Sequence, residues 1–285
     1  MSELALQLIA ENKKTKAKTL DLGNCGLTEV PEEALECVWI EELVLSYNWL
    51  EYYPDTNQID IKYSQNKGSQ NVIQFLPTDC YRWKQLKKLI IDSTNISDLR
   101  PLEKLVNLVE LNCYDTQISD LTPLQNLVNL QSFDCHNTQV SNLKPLEKLV
   151  NLQRLSCSST QITDLKGIES LVNLQTLSCS STQVSNLLPL KRFLEDDIPI
   201  YWQGVDYFGE RGFFVKDCPL DRSLIAAIKS GNDAVLKYLN KPKERLWESR
   251  VLVLGEPRAG KTTLRRKLKS ANAIMPTDKE STEGI

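Results

Sequence analysis

The stretch Leu108-Val109-Glu110-Leu111-Asn112-Cys113-Tyr114-Asp115-Thr116-Gln117-Ile118 decides the fold of this chain. The same frame returns two periods later as Leu152-Gln153-Arg154-Leu155-Ser156-Cys157-Ser158-Ser159-Thr160-Gln161-Ile162. Its threonine recurs every 22 residues, at Thr94, Thr116, Thr138, Thr160 and Thr182. A fixed period of this length is the signature of a repeat protein, in which each unit buries its apolar face against its neighbours.

The frame resembles the leucine-rich repeat L-x-x-L-x-L-x-x-[N/C]-x-L, with threonine in place of the usual asparagine. Its second half, Leu121-Thr122-Pro123-Leu124-Gln125-Asn126-Leu127-Val128-Asn129-Leu130, is similar to the short, internalin-like class of these repeats. The resemblance implies an α/β fold, a right-handed leucine-rich-repeat solenoid in which each coil adds one strand to a parallel sheet on the concave side.

Three further positions extend the threonine ladder toward the N-terminus at a period of 23 residues: Cys25, Asn48 and Asn71. On this alignment the stretch from Asn66 to Asn71 is a degenerate coil and not a long insertion, although Asn66 and Gly68 occupy positions that should be apolar. The sequence therefore predicts eight coils, with a weak or bulged strand in the third. Ile198-Pro199-Ile200 is a candidate start for a ninth, capping coil.

Each strand of the repeat presents alternate side chains to the core and to the concave face. In the quoted coil Leu111 and Cys113 point inward, whereas Asn112 and Tyr114 point outward. We expect a protein partner to contact the outward columns, because aromatic and arginine side chains dominate interface energetics. The alternative is an inert, solvated face. The candidate contacts are Tyr114, Asp134, His136 and Arg154.

A second ladder consists of cysteines, at Cys113, Cys135, Cys157 and Cys179. Tetrahedral zinc sites usually draw on converging ligands and close C-x₂-C pairs, whereas these four side chains are predicted to point inward in parallel, one per coil. We expect them to be buried, unbridged members of the core and not metal ligands. His136 is the only histidine of the chain, which excludes mechanisms that need two.

Composition indicates a soluble intracellular protein. Apolar residues make up 41% of the 285 residues, enough for a packed core. The net charge of −3 argues against a broad surface for nucleic acid or an anionic membrane. The N-terminus lacks the features of a signal peptide, and no apolar run approaches the ~20 residues of a membrane span. We therefore expect a cytoplasmic protein with no nucleic-acid and no membrane partner.

The pattern divides the chain into four segments. Residues 1–16 are predicted to form a capping helix with Ser2 as its N-cap. Residues 17–205 are the repeats, and residues 206–248 form a capping and helical linker whose two apolar faces are separated by Ser230-Gly231-Asn232-Asp233. Residues 249–285 carry a motif of a different kind.

That motif is Gly255-Glu256-Pro257-Arg258-Ala259-Gly260-Lys261-Thr262, which follows the apolar run Val251-Leu252-Val253-Leu254. It has the G-x-x-x-x-G-K-T pattern of a phosphate-binding loop (P-loop) between a buried strand and a helix. In such a loop backbone N–H groups surround nucleotide phosphates, the lysine reaches the terminal phosphates, and the threonine hydroxyl ligates Mg²⁺. Ser281-Thr282-Glu283-Gly284-Ile285 adds T-x-G-I about 20 residues after the lysine, where Ras-like GTPases carry a threonine that contacts Mg²⁺ and the γ-phosphate.

This order of parts resembles a bacterial Roco protein, in which leucine-rich repeats precede a Ras-of-complex GTPase domain and a dimerising domain. The resemblance covers nearly the whole chain and implies the N-terminal part of a regulatory GTPase. It implies GTP or GDP and Mg²⁺ as cofactors, a protein partner on the repeats, and a dimer in the full-length parent. By resemblance the nucleotide-binding residues are Gly255, Glu256, Pro257, Arg258, Ala259, Gly260, Lys261, Thr262, Thr263 and Thr282, with Thr262 and Thr282 on the metal.

The same segment departs from the family pattern. No D-x-x-G or N-K-x-D follows the loop, and the strands that would flank residues 251–254 are missing. We therefore expect residues 249–285 to be only the start of a P-loop GTPase domain, and the 285-residue chain to be a monomer without measurable GTP hydrolysis. The alternative function is a non-enzymatic leucine-rich-repeat interaction module with an inert nucleotide-binding remnant. A signalling ATPase is a third alternative, but in those proteins the repeats usually follow the nucleotide domain.

Overall fold

The computed structural model of this protein describes residues 2–53, 58–203 and 211–241. The first element is helix α1, Glu3–Thr15. Its N-terminus is capped by Ser2, whose Oγ accepts a hydrogen bond from the Ala5 N–H at 3.4 Å and so satisfies one of the donors that a helix start leaves free. Ala5 and Ile9 are fully buried in the core. The helix therefore covers the first end of the solenoid, as the sequence predicts.

Nine short strands form one parallel sheet within the described residues. In chain order they are β1 Thr19–Asp21, β2 Glu42–Val44, β5 Lys88–Ile90, β6 Glu110–Asn112, β7 Ser132–Asp134, β8 Arg154–Ser156, β9 Thr176–Ser178, β10 Ile200–Tyr201 and β11 Gly212–Phe214. Two further strands, β3 Asn48–Tyr53 and β4 Gln58–Tyr63, pair with each other as an antiparallel hairpin. The spatial order of the parallel sheet is β1-β2-β5-β6-β7-β8-β9-β11-β10.

Each of the first seven coils returns from its strand through a short 3₁₀ helix. These turns span Glu32–Glu36, Cys80–Arg82, Arg100–Leu102, Thr122–Leu124, Lys144–Leu146, Ile168–Ser170 and Leu188–Leu190. Four of them carry a proline at an early position, where its fixed φ suits the turn and its missing N–H costs no hydrogen bond. Leucines from the strand and from the return path fill the space between them, and together they form one continuous core.

The ladder threonine closes the turn after each regular strand. Thr116 Oγ1 donates to the Cys113 carbonyl at 2.7 Å. The same bond, at 2.6–2.7 Å, recurs at Thr94, Thr138, Thr160 and Thr182. The residue before each threonine adopts the left-handed conformation, with φ between 53° and 56°, at Ser93, Asp115, Asn137, Ser159 and Ser181. The predicted ladder is therefore confirmed for these five coils, and its mechanism is a hydrogen bond inside each coil.

The prediction of a degenerate third coil is wrong. β2 pairs directly with β5, so no strand lies between them, and residues 47–69 form an insertion that contains the hairpin β3–β4. The ladder position of the second coil is held by Asn71 and not by Asn48. Gly68 is explained by the returning chain, which passes so close to Asn24 that a Cβ would lie 2.2 Å from its carbonyl oxygen.

The side-chain amide of Asn71 makes hydrogen bonds to backbone groups of the turns in the first and second coils. Its Nδ2 donates to the carbonyls of Leu22 and Leu45 at 2.8 and 2.7 Å. Its Oδ1 accepts from the N–H groups of Cys25 and Leu27 at 3.2 and 2.8 Å. The fully occupied side-chain amide thus anchors the chain at the point where the insertion rejoins the solenoid.

The eighth coil lies beyond residue 205, the predicted end of the repeats. Phe213, Val215, Cys218 and Leu220 are all buried, and their spacing repeats the L-x-L-x-x-[N/C]-x-L frame. β11 pairs with β9 on one side and with β10 on the other. The candidate ninth coil at residues 198–200 therefore provides the outermost strand, although it precedes the eighth coil in the chain.

Three helices follow the regular coils: α2 Lys191–Glu195, α3 Arg222–Ser230 and α4 Asn232–Leu239. Asp221 caps α3 by accepting hydrogen bonds from two N–H groups of its first turn. The break between α3 and α4 at Gly231 agrees with the predicted interruption. Leu224, Ile228 and Val235 are buried in the common core, so this helical pair packs against the last coil. The predicted hinge after residue 241 lies outside the described residues.

Candidate interaction surface

The outward side chains of strands β5 to β9, together with the position that follows each strand, form a surface that we call the sheet face. Its middle column is buried, whereas most of its two outer columns is partly exposed. Strands of a sheet lie about 4.8 Å apart, so short side chains in neighbouring strands shield each other. The first outer column is Lys88, Glu110, Ser132, Arg154 and Thr176, the middle column is Ile90, Asn112, Asp134, Ser156 and Ser178, and the second outer column is Asp92, Tyr114, His136, Ser158 and Ser180.

An ordered aromatic cluster lies near the centre of the sheet face. The rings of Tyr114 and His136 stack with centroids 4.5 Å apart and an interplanar angle of 2°. Asp134 fixes the histidine, because its Oδ1 lies 2.8 Å from His136 Nδ1 and also accepts the His136 backbone N–H at 3.0 Å. The His136 side chain is 29% exposed and that of Asp134 is 6% exposed. The cluster therefore consists of two stacked rings that are partly exposed to solvent. The buried carboxylate of Asp134 holds the histidine ring in place.

The cluster determines the charge of the histidine. Burial acts to lower the pKa of His136, but the charge of Asp134 and the hydrogen bond to it outweigh burial and raise the pKa above its ordinary value of 6.5. Asp115 contributes in the same direction. With Nδ1 bonded to the carboxylate, Nε2 is the ring atom left to interact with a partner.

A second carboxylate, Asp92, lies beneath the tyrosine. It is 1% exposed, and its Oδ1 accepts the Tyr114 backbone N–H at 3.0 Å. Burial raises the pKa of Asp92 well above its ordinary value of 3.8, and the nearby charge of Asp134 raises it further. Asp92 is therefore a buried carboxyl group whose protonated form is favoured. Its hydrogen bond from the Tyr114 N–H positions the backbone of Tyr114.

The inserted hairpin reaches the N-terminal end of the sheet face. Glu51 of β3 accepts from Lys88 Nζ at 2.6 Å, and Glu110 lies 3.2 Å from the same nitrogen. Asn48 Oδ1 lies 3.5 Å from the Tyr114 hydroxyl. Burial lowers the pKa of Lys88, but Glu110 and Glu51 raise it, and the net pKa lies above 10.5. The hairpin therefore holds Lys88 in an ion pair. The partly exposed residues beyond it lie between Tyr114 and Ser158, since Thr176, Ser178 and Ser180 of the next coil are buried.

The structure brings three of the four predicted contact residues together. Tyr114, Asp134 and His136 form the cluster, whereas Arg154 belongs to the first outer column with Glu110. Sequence reasoning missed Glu51 and Asp92. Glu51 belongs to the unrecognised insertion, although the alternation of polar and apolar residues along β4, Gln58–Tyr63, is typical of a strand. Strand alternation places Asp92 on the outward side of its coil, and only its burial reveals its role.

Sequence reasoning also missed a ladder on another side of each coil. The asparagine of the L-V-N-L segment donates its Nδ2 to a carbonyl of the preceding coil at 2.8–2.9 Å, at Asn107, Asn129, Asn151 and Asn173. The valine before each asparagine is 42–49% exposed, at Val106, Val128, Val150 and Val172. The asparagines join successive coils, and the valines form an apolar row that is exposed within the described residues.

The predicted nucleotide-binding residues lie outside the described residues. These are the loop from Gly255 to Thr263, with Lys261 and the magnesium ligand Thr262, and Thr282 near the end of the sequence. Within the described residues no group of three or more His, Cys, Asp or Glu side chains is placed to hold a metal ion.

Comparison with known proteins identifies the repeats. Residues 84–126, 106–148 and 150–192 match the family described as Leucine Rich repeats (2 copies). Together with the parallel sheet and the helix at its N-terminal end, this match shows that the described part of the chain is a leucine-rich-repeat solenoid. No curated protein matches the sequence.

Among the solved structures that share the fold are two internalins from Listeria monocytogenes. The internalin inlF structure is 18% identical with a TM-score of 0.59, and the match covers 80% of this chain and 60% of that chain. The internalin C2 structure is 20% identical with a TM-score of 0.59, and the match covers 80% of this chain and 89% of that chain. The matched region is thus less than two thirds of the inlF structure. The internalin-like fold agrees with the class of repeat seen in the sequence.

Among the described residues no helix has the length and apolar character needed to cross a membrane.

Proposed function

We propose that this protein is a leucine-rich-repeat interaction module that binds a protein partner through the sheet face. Tyr114, His136 and Arg154 are the expected anchors, and Asp134 orients the histidine. The stacked pair of Tyr114 and His136 is the observation that supports the proposal most directly. Aromatic rings already held in place lose little conformational freedom on binding, and tyrosine and arginine are enriched among the residues that dominate interfaces.

The hairpin limits where a partner can bind. Because Lys88 is paired with Glu51 and Asn48 lies against Tyr114, we expect the footprint to run from Tyr114 to Arg154 and to stop before the buried residues of β9. Arg154 is partly exposed in the first outer column, and Tyr114 and His136 are partly exposed in the second. A partner that spans both outer columns contacts all three side chains.

The test is affinity capture with the double variant Tyr114→Ala/Arg154→Ala beside the wild-type protein. Removal of two anchors is expected to lower recovery of the true partner by about tenfold or more, since each anchor typically contributes at least ~1 kcal/mol. The matched control is Gln117→Ala/Lys148→Ala, which truncates two exposed side chains outside the sheet face. A captured protein that is lost only with the sheet-face variant supports the proposal. Equal recovery of every captured protein by all three chains contradicts it.

A second candidate function is the binding of a guanine nucleotide and Mg²⁺, as in a Roco-type regulatory GTPase. It rests on the sequence Gly255–Thr263, whose glycines, lysine and threonines fit a phosphate-binding loop. A bound nucleotide would supply the phosphates that the loop surrounds, and Thr262 and Thr282 would ligate the metal.

Titration of a fluorescent GTP analogue into the purified chain, with and without Mg²⁺, decides between these candidates. Lys261→Ala is the informative variant, since this lysine is the one expected to reach the terminal phosphates, and Lys267→Ala in the same segment is its control. Micromolar, Mg²⁺-dependent binding that is lost in Lys261→Ala alone would establish the nucleotide function. Absence of binding in the wild-type chain would leave the interaction module as its function.

A further inference from the structure

The hairpin that interrupts the second coil forms a small sheet of its own. Within the described residues β3 and β4 pair only with each other, so each strand has one edge without a neighbouring strand. The hairpin contacts the sheet face through Asn48 and Glu51 of β3. The free edge of β4 lies on the side of that strand opposite to β3. A free strand edge is a template for pairing with another chain.

The hydrogen bonds of the hairpin identify the backbone groups at this edge. The Ser64 N–H donates to the Tyr47 carbonyl at 2.9 Å, so these two residues form a hydrogen-bonded pair. Such pairs alternate along an antiparallel ladder, and the even-numbered residues of β4 therefore bond to β3. The N–H and C=O groups of Ile61, and those of the residues two positions before and after it, point toward the free edge. The Tyr63 carbonyl accordingly accepts a hydrogen bond from the exposed side chain of Gln65 at 2.9 Å.

The side chains of β4 are exposed and alternate in character. Ile61 is 45% exposed and Tyr63 is 54% exposed. On the other face of the strand Asp60 and Lys62 form an ion pair at 3.9 Å, with side chains that are 61% and 42% exposed. A lysine by itself discourages pairing at a strand edge, but here an aspartate two positions earlier supplies the complementary charge. The edge therefore carries an exposed apolar side chain between two opposite charges.

We propose that β4 is a self-association site, at which two copies of this chain pair antiparallel and join their hairpins into one four-stranded sheet. The two-fold axis passes between the Ile61 residues of the two copies, and each Ile61 N–H donates to the Ile61 carbonyl of the other copy. Asp60 of each copy then lies directly opposite Lys62 of the other. These residues form a non-hydrogen-bonded pair, the type in which facing side chains are closest. The pairing therefore replaces an exposed ion pair within each chain by ion pairs between the chains.

Charge selects the register of this pairing. A two-fold axis at Asp60 places two aspartates opposite each other, and an axis at Lys62 places two lysines opposite each other. Like charges that lie directly opposite destabilise a sheet. Of these three registers, the one centred on Ile61 pairs unlike charges, and it also brings two exposed isoleucine side chains together. This self-complementarity favours a second copy of the chain over an unrelated strand.

The self-association site is distinct from the surface proposed to bind a partner. It uses none of the residues from Tyr114 to Arg154, so its test is independent of the capture experiment. Joining two copies places two sheet faces in one particle, and a partner with two binding sites would gain avidity from them. The expectation of a monomer rested on the absence of a dimerising domain and took no account of this hairpin.

Charge reversal in the full 285-residue chain tests the proposal. Sedimentation velocity over a series of protein concentrations measures the dimer fraction, which should rise with concentration for the wild type. Asp60→Lys and Lys62→Glu each turn both attractive pairs into repulsive ones, so each should raise the dimer dissociation constant by about tenfold or more. An equal mixture of the two variants pairs unlike charges again and should dimerise as the wild type does. Lys148→Glu, a charge reversal at an exposed site outside the hairpin, is the matched control and should change nothing.

Ile61→Pro completes the test. It removes the N–H that faces the second copy, while the ladder between β3 and β4 keeps its hydrogen bonds, since proline is tolerated at a strand edge. This variant should be monomeric, with the circular dichroism spectrum of the wild type. A wild-type chain that stays monomeric at every concentration would overturn the proposal and leave this edge to an extended segment of another protein. A dimer that survives both charge reversals, or a mixture of the two variants that fails to dimerise, would overturn it as well.

Discussion

The ladder position illustrates how one side chain adapts to its surroundings. In the regular coils a threonine donates one hydrogen bond within its own turn, as Thr116 does to Cys113. In the second coil the turn is interrupted by the insertion, and Asn71 makes four hydrogen bonds to backbone groups of two coils. Each of these buried backbone groups would cost about 1–3 kcal/mol if left unpaired. The asparagine is therefore needed where the chain rejoins the solenoid, whereas a hydroxyl suffices elsewhere.

Asp92 makes the stability of the protein depend on pH. Its pKa is raised in the folded state, so its contribution to stability is full below 3.8 and declines as the pH rises toward the folded-state pKa. Asp92→Asn keeps an oxygen for the Tyr114 N–H and removes the charge. We expect the variant to increase the free energy of unfolding at pH 7 by about 1 kcal/mol or more, with no gain below pH 3.8. Urea denaturation at both pH values measures the difference.

Asp98→Asn serves as the control, because its expected effect on the free energy of unfolding at pH 7 is opposite to that of Asp92→Asn. The pKa of Asp98 is lowered, chiefly by its hydrogen bond from Arg100. Its contribution to stability is therefore present above 3.8 and lost as the pH falls through the lowered pKa. Asp98→Asn should slightly destabilise the protein at pH 7. A gain in stability from both substitutions would show that net charge, and not the burial of Asp92, governs the effect.

At the scale of elements, the hairpin β3–β4 interrupts a coil that is otherwise regular. Removal of residues 47–69 joins Ser46 to Gln70 and places Asn71 three positions after Leu45, the spacing found between Cys113 and Thr116. We expect this deletion to fold cooperatively, with Lys88 released from Glu51. Circular dichroism and thermal unfolding would measure the result. Some loss of stability is expected, since Ser64 and Ser69 bond the first coil.

A deletion of residues 47–68 provides the matched control. It leaves one extra residue before Asn71, so the asparagine amide no longer meets the four groups that it satisfies. We expect this chain to be less stable than the chain that lacks residues 47–69, although it retains more of the sequence. The reverse order of stabilities would mean that the ladder spacing does not control this coil.

The elements that sequence reasoning recovered are those with a strict period. Five threonine coils, the capping helix at Ser2 and the helical pair around Gly231 follow from spacing and capping residues. The hairpin was missed because the insertion has the length of one 23-residue coil, so the spacing alone cannot distinguish the two. The coil at Phe213 was missed because it follows a longer connection. In the candidate site, the columns follow from strand alternation, but the ion pair of Glu51 with Lys88 depends on the path of the insertion.

At the scale of the whole molecule, the C-terminal end of the sheet is closed by a strand that enters out of chain order. The carbonyl of Phe214 in β11 accepts a hydrogen bond from the Cys179 N–H at 3.0 Å, and that of Lys216, just after the strand, accepts one from the Ser181 N–H at 2.8 Å. A chain that ends at residue 203 lacks this strand and exposes the edge of β9. We expect that chain to aggregate, and a chain of residues 1–241 to remain monodisperse. Size-exclusion chromatography of the two truncations is the measurement.

The chain of residues 1–241 is also the control, because it keeps β11 and the helices α3 and α4 that follow it. Its melting temperature should be close to that of the full chain. A monodisperse, cooperatively unfolding chain of residues 1–203 would show that β10 alone can close the sheet.

The regular coils between Thr94 and Thr182 make the same bonds to their neighbours at every step. Each threonine bonds its own turn, and each asparagine of the second ladder bonds the coil before it. Excision or tandem duplication of one whole unit in the gene therefore joins surfaces that already fit. The length of this middle region is open to change by recombination, whereas the two ends, built around Asn71 and Cys218, each depend on a residue that occurs once.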